Sequence, residues 1–193
     1  MMGSEKHTWE KPVHQVTLSD YYIAKYPVTQ ALWKAIMGNN PSHFKGDKLP
    51  VEKVSWVDCR EFIKKLNEKT GENYRLPTEA EWEFAAIGGN QSKGYEYSGS
   101  NDLEEVGWYD NNSNHITHPV GQKQANELGI YDMSGNVLEW CADWYGDYSA
   151  EAKTNPLGSK NGEYRVLRGG SWYYVDSVSR VSFRNDLDPY FSF

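Results

Sequence analysis

The sequence predicts a single domain of the α+β class, with two or three helices, several short strands and much irregular loop. Its 193 residues are enough for one domain with a sizeable core. Short periodic segments in the first half begin and end on residues that cap helices. Residues 88–128 are rich in Gly, Asn, Ser and Asp and show little periodicity, yet their scattered aromatic residues favour a packed loop over disorder.

The first predicted elements are an extended segment and a helix. Residues 13–24 alternate apolar and polar side chains in part, which favours extended structure. Thr29 can cap the start of a helix that runs to about Met37, and Gly38 can end it. We therefore expect a strand region followed by a short helix.

Two further helices are predicted from capping boxes. Ser55, with Asp58 three residues later, predicts the start of a helix that Gly71 ends. Thr78, with Glu81 three residues later, predicts the start of the next helix. The side chains expected to face the core from these two helices are Trp56, Cys59, Phe62, Ile63, Leu66, Trp82, Ala85 and Ala86.

The composition excludes several classes of function. The net charge is −7 and no basic cluster is present, so we expect no nucleic-acid partner. Mean hydropathy is −0.78, and no apolar run approaches the roughly 20 residues of a membrane helix, so no transmembrane segment is expected. The first residues contain no apolar stretch typical of a signal peptide.

The cysteines and histidines predict no site by themselves. Cys59 and Cys141 could form one disulfide or could be two independent small core residues. His115 and His118 form an HxxH pair in a Gly- and Asn-rich loop, without a carboxylate at a recognisable spacing. The pattern favours two loop histidines over a metal site.

Three longer motifs carry a resemblance to a known family. They are YRLPTEAEWEFAA at residues 74–86, GIYDMSGNVLEW at 129–140 and RVLRGGSW at 165–172. In this order they resemble the formylglycine-generating enzyme (sulfatase-modifying factor) family, and the resemblance spans nearly the whole chain. It implies one domain over residues 1–193 with a C-type-lectin-like fold, which has short antiparallel strands and abundant irregular structure.

The second motif could hold a metal ion. Some members of the family bind calcium here, and the resemblance implies side-chain ligands from Asp132 and Glu139 with carbonyl oxygens from Gly135 and Val137. Oxygen-rich loops of this kind suit calcium. The alternative is a tight turn at Gly135 that is held by hydrogen bonds alone.

The resemblance also identifies what is missing. The chemistry of the family needs two cysteines shortly after the GGS motif, where thiolates hold copper and activate oxygen. Tyr174 and Ser179 occupy those two positions here, and neither can replace a thiolate. We therefore expect no enzyme. A copper-dependent oxidoreductase that acts on protein cysteine remains the alternative.

The last segment, residues 173–193, has an unusual composition. It contains no Lys, Glu, Gln, Met or Trp, whose codons all end in a purine. Most of its residues can be reached from an Asn codon by changing only the two adenines. Five residues punctuate the segment like a fixed frame: Arg180, Val181, Arg184, Asn185 and Pro189.

This pattern resembles the variable region of target proteins of diversity-generating retroelements, in which adenine-directed mutagenesis changes solvent-facing residues on a C-type-lectin-like scaffold. The resemblance implies a variable region at residues 173–193. The predicted ligand-binding positions, which we call the palette residues, are Tyr173, Tyr174, Val175, Asp176, Ser177, Val178, Ser179, Ser182, Phe183, Asp186, Leu187, Asp188, Tyr190, Phe191 and Phe193.

Tyr-rich, Ser-rich surfaces are typical of binding sites, because a rigid amphipathic ring gives contact area at low entropic cost. The alternative is that the aromatic side chains of the tail fill the core. We expect a non-catalytic, receptor-like monomer at the cell surface or outside the cell, with an unknown protein or glycan as its ligand. Degenerate family membership with one fixed partner is the alternative to a variable face.

Overall fold

A computed structural model describes residues 1–192, and in it four helices and five short strands alternate with long ordered loops. The helices are α1 (Gln30–Met37), α2 (Trp56–Thr70), α3 (Glu79–Ala86) and α4 (Leu103–Val106). The strands are β1 (Val16–Thr17), β2 (Glu139–Trp144), β3 (Lys153–Thr154), β4 (Arg165–Arg168) and β5 (Asn185–Leu187). Single 3-10 turns lie at Thr8–Glu10, Gly89–Gln91 and Asp176–Ser179.

The helix termini predicted from capping residues are confirmed. The Thr29 side chain accepts a hydrogen bond from the backbone N–H of Leu32, and Gly38 ends α1 in the left-handed conformation. Both reciprocal hydrogen bonds of a capping box are present at Ser55 and again at Thr78. Local hydrogen bonding therefore fixes where these helices begin.

The strands form two separate sheets. β2, β4 and β5 make an antiparallel sheet with β4 in the centre, as the predicted fold requires. β1 and β3 make a parallel pair of two residues each. The expected extended region at residues 13–24 is therefore a strand only over Val16–Thr17, because its partner strand is equally short.

The main core lies between α3 and the antiparallel sheet. Its buried residues are Trp82, Ala85, Ala86, Ile130, Met133, Cys141, Val166 and Val181. The prediction for α2 is only partly right. Phe62 is buried and stacks on Trp33 of α1, whereas Trp56, Cys59, Ile63 and Leu66 are half-buried. α2 therefore packs its apolar face on a small helix, and the sheet core lies elsewhere.

The long segment at residues 88–128 is packed, as predicted. It encloses a second small core that consists of Tyr97, Leu103, Val106 and Tyr109. α4 lies within it and was not predicted, because four residues are too few to show helical periodicity. In the described part of the chain, no helix has the length and hydropathy needed to cross a bilayer.

Candidate ligand-binding face

The chain leaves β4 through two glycines whose backbone conformation returns the tail to the domain. Gly169 and Gly170 have φ values of 95° and 71°, a region that disfavours other residues. A Cβ atom on Gly170 would lie 2.3 Å from Oγ of Ser179. The glycines of the GGS motif thus allow the loop over residues 171–179 to fold back so that Ser179 packs against Gly170.

Groups outside the tail hold the backbone of its first residues. The N–H of Trp172 donates to the carbonyl oxygen of Asn136 at 3.0 Å. The hydroxyl of Ser113 donates to the carbonyl oxygen of Trp172 at 2.8 Å. The N–H of Asp110 donates to the carbonyl oxygen of Tyr174 at 3.1 Å. These contacts involve only main-chain atoms of Trp172 and Tyr174, so they do not depend on the side chains at the start of the tail.

Two arginines of the predicted frame form buried ion pairs with distant carboxylates. Arg180 binds Glu10 through two hydrogen bonds of 2.6 and 3.2 Å. Arg184 binds Glu79 through two hydrogen bonds of 2.7 and 2.9 Å. All four side chains are almost fully buried. Each pair therefore ties the tail to the N-terminal segment or to α3.

A third arginine, Arg168 at the end of β4, holds the middle of the tail. Its guanidinium donates to the carbonyl oxygens of Val181, Ser182 and Phe183 at 2.9, 3.1 and 2.8 Å. It also pairs with the buried carboxylate of Glu83. Burial lowers the pKa of Arg168, but Glu83 and its other neighbours raise it more, so the guanidinium stays charged.

Most frame residues of the tail are buried, whereas most palette residues are exposed or half-buried. The frame residues Arg180, Val181, Arg184 and Pro189 are buried, and Asn185 is half-buried. The exposed palette residues are Tyr173, Val175, Asp176, Ser177, Asp188, Tyr190 and Phe191. The half-buried palette residues are Tyr174, Val178, Ser182, Phe183, Asp186 and Leu187.

One predicted binding position lies apart from this surface. Ser179 is fully buried, because its loop packs directly on Gly170, so its side chain does not face solvent. Phe193 lies outside the described residues. Phe183 is held edge-on against Trp9, with ring centroids 6.4 Å apart.

An aromatic row leads from the scaffold onto the exposed tail. Phe44 meets Trp172 at 5.3 Å between ring centroids, and Trp172 meets Tyr173 at 5.4 Å. Tyr173 then meets Tyr174 at 6.0 Å, and each of the three contacts is edge-to-face. Sequence reasoning missed Phe44, because nothing in the turn-rich loop around it indicates which loop aromatic meets the tail.

The cysteines do not supply the missing thiolates. Cys59 and Cys141 are free, so they do not form the disulfide that the sequence left open. Burial and the nearby Asp58 raise the pKa of Cys59 to about 12. Burial also raises the pKa of Cys141. Both thiols are therefore protonated at neutral pH, which is the unreactive form.

The turn at residues 132–139 contains the two carboxylates of the expected calcium set, of which Asp132 is buried and Glu139 is half-buried. Asp132 accepts a hydrogen bond from the N–H of Gly121 at 2.7 Å, and Glu139 accepts one from the indole N–H of Trp82 at 2.8 Å. Burial raises the pKa of Asp132. Burial, together with the charge of Asp132, raises the pKa of Glu139 to about 7. Gly135 has a φ of 87°, as a tight turn requires.

The donor chemistry of this turn fits a hard cation. The charge of Asp132 raises the pKa of Glu139, and His118 lowers the pKa of Asp132, whereas no arginine or lysine shifts either pKa. Between residues 1 and 192, no three His, Cys, Asp or Glu side chains converge as a metal site. A cation at this turn would therefore combine these two carboxylates with main-chain oxygens, such as those of Gly135 and Val137.

The HxxH pair is engaged within the loop. The ring of His118 stacks on Trp108 with 3.7 Å between centroids, and its Nε2 lies 2.7 Å from the carbonyl oxygen of Ser113. His115 adopts a left-handed backbone conformation with a φ of 59°. Among residues 1–192, no third His, Cys, Asp or Glu side chain joins the pair to form a metal site.

Comparison with known proteins gives a consistent picture. The family model for the sulfatase-modifying factor enzyme 1-like domain matches residues 1–192. Chaperone protein LppX of Paenibacillus barcinonensis is 38% identical over 90% of this chain and 76% of its own length. The formylglycine-generating enzyme of Streptomyces coelicolor is 37% identical over 72% of this chain, but the match spans only 48% of that enzyme.

The solved structure of Treponema denticola variable protein 1 superposes with a TM-score of 0.90 at 33% identity. The superposition covers 100% of this chain and 87% of that chain. The predicted α+β, C-type-lectin-like fold is thereby confirmed. The scaffold is thus similar both to that of an enzyme and to that of a variable protein.

Proposed function

This chain belongs to the sulfatase-modifying factor enzyme 1-like domain family, and we propose that its scaffold carries a variable ligand-binding face in place of an oxidase centre. The face consists of the exposed palette residues of the tail. In this proposal the protein is a pseudoenzyme, and the tail is the product of a diversity-generating retroelement. The likeness to Treponema denticola variable protein 1 over the whole chain supports this function.

The observation that carries the proposal is the contrast between the frame and the palette. Arg180, Val181 and Arg184 are buried and fix the backbone, whereas Tyr173 and Tyr190 are 67% and 79% exposed. A lone soluble protein gains little from large exposed aromatic side chains, but a binding surface uses them as contact area. Variation at such positions changes the ligand without changing the fold.

The coding sequence tests this proposal directly. The palette positions should carry codons that end in a pyrimidine. A near-copy repeat with Asn codons at those positions should lie close to a reverse transcriptase gene. Purine-ending codons at the palette positions, or a genome without such a repeat, would refute the variable-region proposal.

A fixed partner is the second candidate function, and the similarity to a protein named as a chaperone favours it. Such a role requires a constant binding surface. Sequencing the same locus in sister strains separates the two candidates. Changes confined to the palette positions support the variable face, and an unchanged tail supports a fixed partner.

The absence of oxidase activity is a separate part of the proposal. The positions of the catalytic cysteines hold Tyr174 and Ser179, and the two cysteines that are present have raised pKa values. We expect no turnover of a sulfatase-derived cysteine peptide in the presence of copper, measured by mass spectrometry of the peptide. Formation of formylglycine would overturn the assignment.

The receptor role further implies display at the cell surface or outside the cell, toward a protein or glycan ligand. Protease treatment of intact cells of the source organism, followed by immunoblotting, tests this location. Loss of the protein from intact cells supports surface display, and full protection contradicts it.

We also infer that the turn at residues 132–139 would hold calcium. Asp132 and Glu139 would supply carboxylates, with carbonyl oxygens from Gly135 and Val137, and the ion would supply the positive charge that these carboxylates lack. The carbonyl oxygen of Asn136, in the same turn, holds the N–H of Trp172. Calcium would therefore stiffen the base of the binding face without contacting the ligand.

A further inference from the structure

The exposed charges of the tail all have one sign. Its two basic residues, Arg180 and Arg184, are buried and paired with carboxylates. Its acidic residues face outward in contrast, because Asp176 and Asp188 are exposed and Asp186 is half-buried. A ligand that meets the tail therefore meets aromatic rings and negative charge, but no exposed cation of the tail.

One end of this surface also has an acidic neighbour from the scaffold. Asp110 is half-buried, and its backbone N–H donates to the carbonyl oxygen of Tyr174, so this residue adjoins the exposed loop. Its Oδ1 is buried without a hydrogen-bond partner. Within residues 1–192, neither Asp110 nor Asp176 lies within 4.0 Å of a basic side chain in an ion pair. We call the surface formed by Tyr173, Tyr174, Asp176 and Asp110 the Tyr–Asp face.

Further acidic groups surround the Tyr–Asp face. Burial, Asp176 and Glu96 raise the pKa of Tyr97 to about 12. Burial and Glu104 raise the pKa of Tyr109, and Asp176 adds to this effect. Asp176 thus lies within electrostatic range of both tyrosines. Glu96 is itself paired with Lys6 and Arg180, so it is Asp176 that supplies negative charge without a counter-ion here. The local potential favours a cation.

Tyrosine rings next to carboxylates have a preferred ligand. The face of a tyrosine ring attracts an ammonium or guanidinium group, and the attraction grows when water is displaced. The exposed carboxylate of Asp176 accepts a hydrogen bond from the backbone N–H of Ser177 but has no ion-pair partner, so it can add a charge-assisted hydrogen bond to the same group. A neutral or acidic ligand would leave the carboxylate of Asp176 without a counter-ion on binding, which is costly.

We propose that the Tyr–Asp face binds a lysine- or arginine-bearing segment of a partner protein. This inference rests on the proposed function and narrows its ligand to a basic protein surface for this sequence of the tail. Asp110 and the aromatic row from Phe44 lie outside residues 173–193, so part of the preference for cations belongs to the scaffold and part to the present tail.

A titration with hexalysine tests the proposal, with hexaserine as the neutral probe. We expect hexalysine to bind and hexaserine not to bind. The variant Tyr173→Ser/Asp176→Asn should weaken hexalysine binding about tenfold, because it removes one ring and one carboxylate contact. Both residues are exposed, so the variant should fold; circular dichroism checks this.

The matched control variant is Tyr74→Ser/Glu68→Gln, which removes the same kinds of exposed side chain near the C-terminal end of α2. It should change hexalysine binding less than about twofold. Equal weakening by both variants would show diffuse attraction by the net charge and would overturn the proposal. Failure of hexalysine to bind would overturn it as well.

Panning separates this inference from the proposed function. A random peptide library and a glycan array are selected on the wild-type protein and on Tyr173→Ser/Asp176→Asn. Enrichment of Lys and Arg among the binders lost in the variant supports the inference. Binders that are lost in the variant but are neutral, acidic or glycan refute it and leave the proposed function standing. The codon test alone decides whether the tail is a variable region.

Discussion

Single residues of the tail differ in what they contact, and Arg180 shows the consequence. Its guanidinium is buried and both of its terminal nitrogens bind the carboxylate of Glu10. A palette residue such as Tyr173 makes no comparable contact, since its backbone N–H binds Ser171 while its ring is exposed. Stability should therefore depend strongly on the first kind of residue and weakly on the second.

The substitution Glu10→Gln should destabilise the protein by about 3 kcal/mol, because it removes the nearest counter-ion of the buried Arg180 and leaves only the more distant Glu96, at 4.0 Å. Urea unfolding followed by tryptophan fluorescence measures the change. Glu5→Gln is the matched control, since Glu5 pairs with Lys11 at the surface. It should change stability by less than about 0.5 kcal/mol. Similar effects of the two variants would contradict the role of the buried pair.

A pH dependence follows from Glu139. Its pKa rises from 4.5 to about 7 in the folded protein, mainly because of burial. The folded state therefore binds the proton more tightly than the unfolded state. The resulting stabilisation is fully present below pH 4.5 and is lost as the pH rises through about 7. Its loss amounts to about 3 kcal/mol.

Glu139→Gln removes this titration, so the free energy of unfolding should fall less steeply between pH 5 and pH 8. Asp143, whose pKa burial likewise raises to about 7, remains and retains part of the slope. Urea unfolding in the presence of a chelator measures both pH profiles. An unchanged slope in Glu139→Gln would show that this carboxyl does not carry the effect.

At the scale of elements, the tail combines a rigid backbone with replaceable side chains. Tyr190→Ser should change the free energy of unfolding by less than about 0.5 kcal/mol, because the ring is exposed. Val181→Ser should cost about 2–3 kcal/mol, because Val181 belongs to the main core. Thermal unfolding of the two variants measures the contrast. A large cost for Tyr190→Ser would mean that the ring supports the fold.

The turn at residues 132–139 should respond to calcium at this same scale. At a calcium concentration of 100 times Kd, the wild type should gain about 2.7 kcal/mol of stability at pH 7.5. Glu139→Gln should lose most of this gain, because it removes a ligand carboxylate. Asp143→Asn, which removes another buried carboxyl outside the turn, is the control and should retain the gain. Stabilisation of neither variant nor wild type would refute calcium binding.

The elements that sequence reasoning predicted are those with local causes. α1, α2 and α3 begin at Thr29, Ser55 and Thr78, whose hydrogen bonds reach only three residues along the chain. β3 pairs with β1 at a separation of more than 130 residues, so no local signal marks it. The capping residues thus predicted the helices, whereas the strands depended on partners that the sequence does not identify.

The same distinction applies to the candidate site. The palette residues and the frame residues could be recognised in the sequence because both lie in one segment whose residue types fit codons derived from Asn codons. The partners of the frame were not visible, since Glu10 and Arg180 are 170 residues apart. Asp110 and Phe44 joined the site only through the fold, because no spacing or motif relates either of them to the tail.

For the molecule as a whole, the net charge opposes self-association, whereas the exposed aromatic side chains of the tail favour it. At pH 7 the charge of −7 keeps copies apart. Near the isoelectric point of about 5.3 that repulsion vanishes, and the rings of the tail can meet. We expect a monomer at pH 7.4 and self-association near pH 5.3, measured by sedimentation velocity.

The variant Tyr173→Ser/Tyr190→Ser should associate less at the lower pH, because it removes two of the most exposed rings of the tail. Tyr22→Ser is the control, since Tyr22 is exposed but lies outside the tail. Equal association of wild type and both variants would show that other surfaces bring the copies together.

The hold of Arg168 on three successive carbonyl oxygens has a consequence for inheritance. Every amino acid presents the same carbonyl group, so this contact is indifferent to which residue mutation places at positions 182 and 183. In a population that rewrites these codons, as we propose, each offspring would keep this anchor of the backbone. Selection could then act on what each offspring recognises with fewer losses to failed folding.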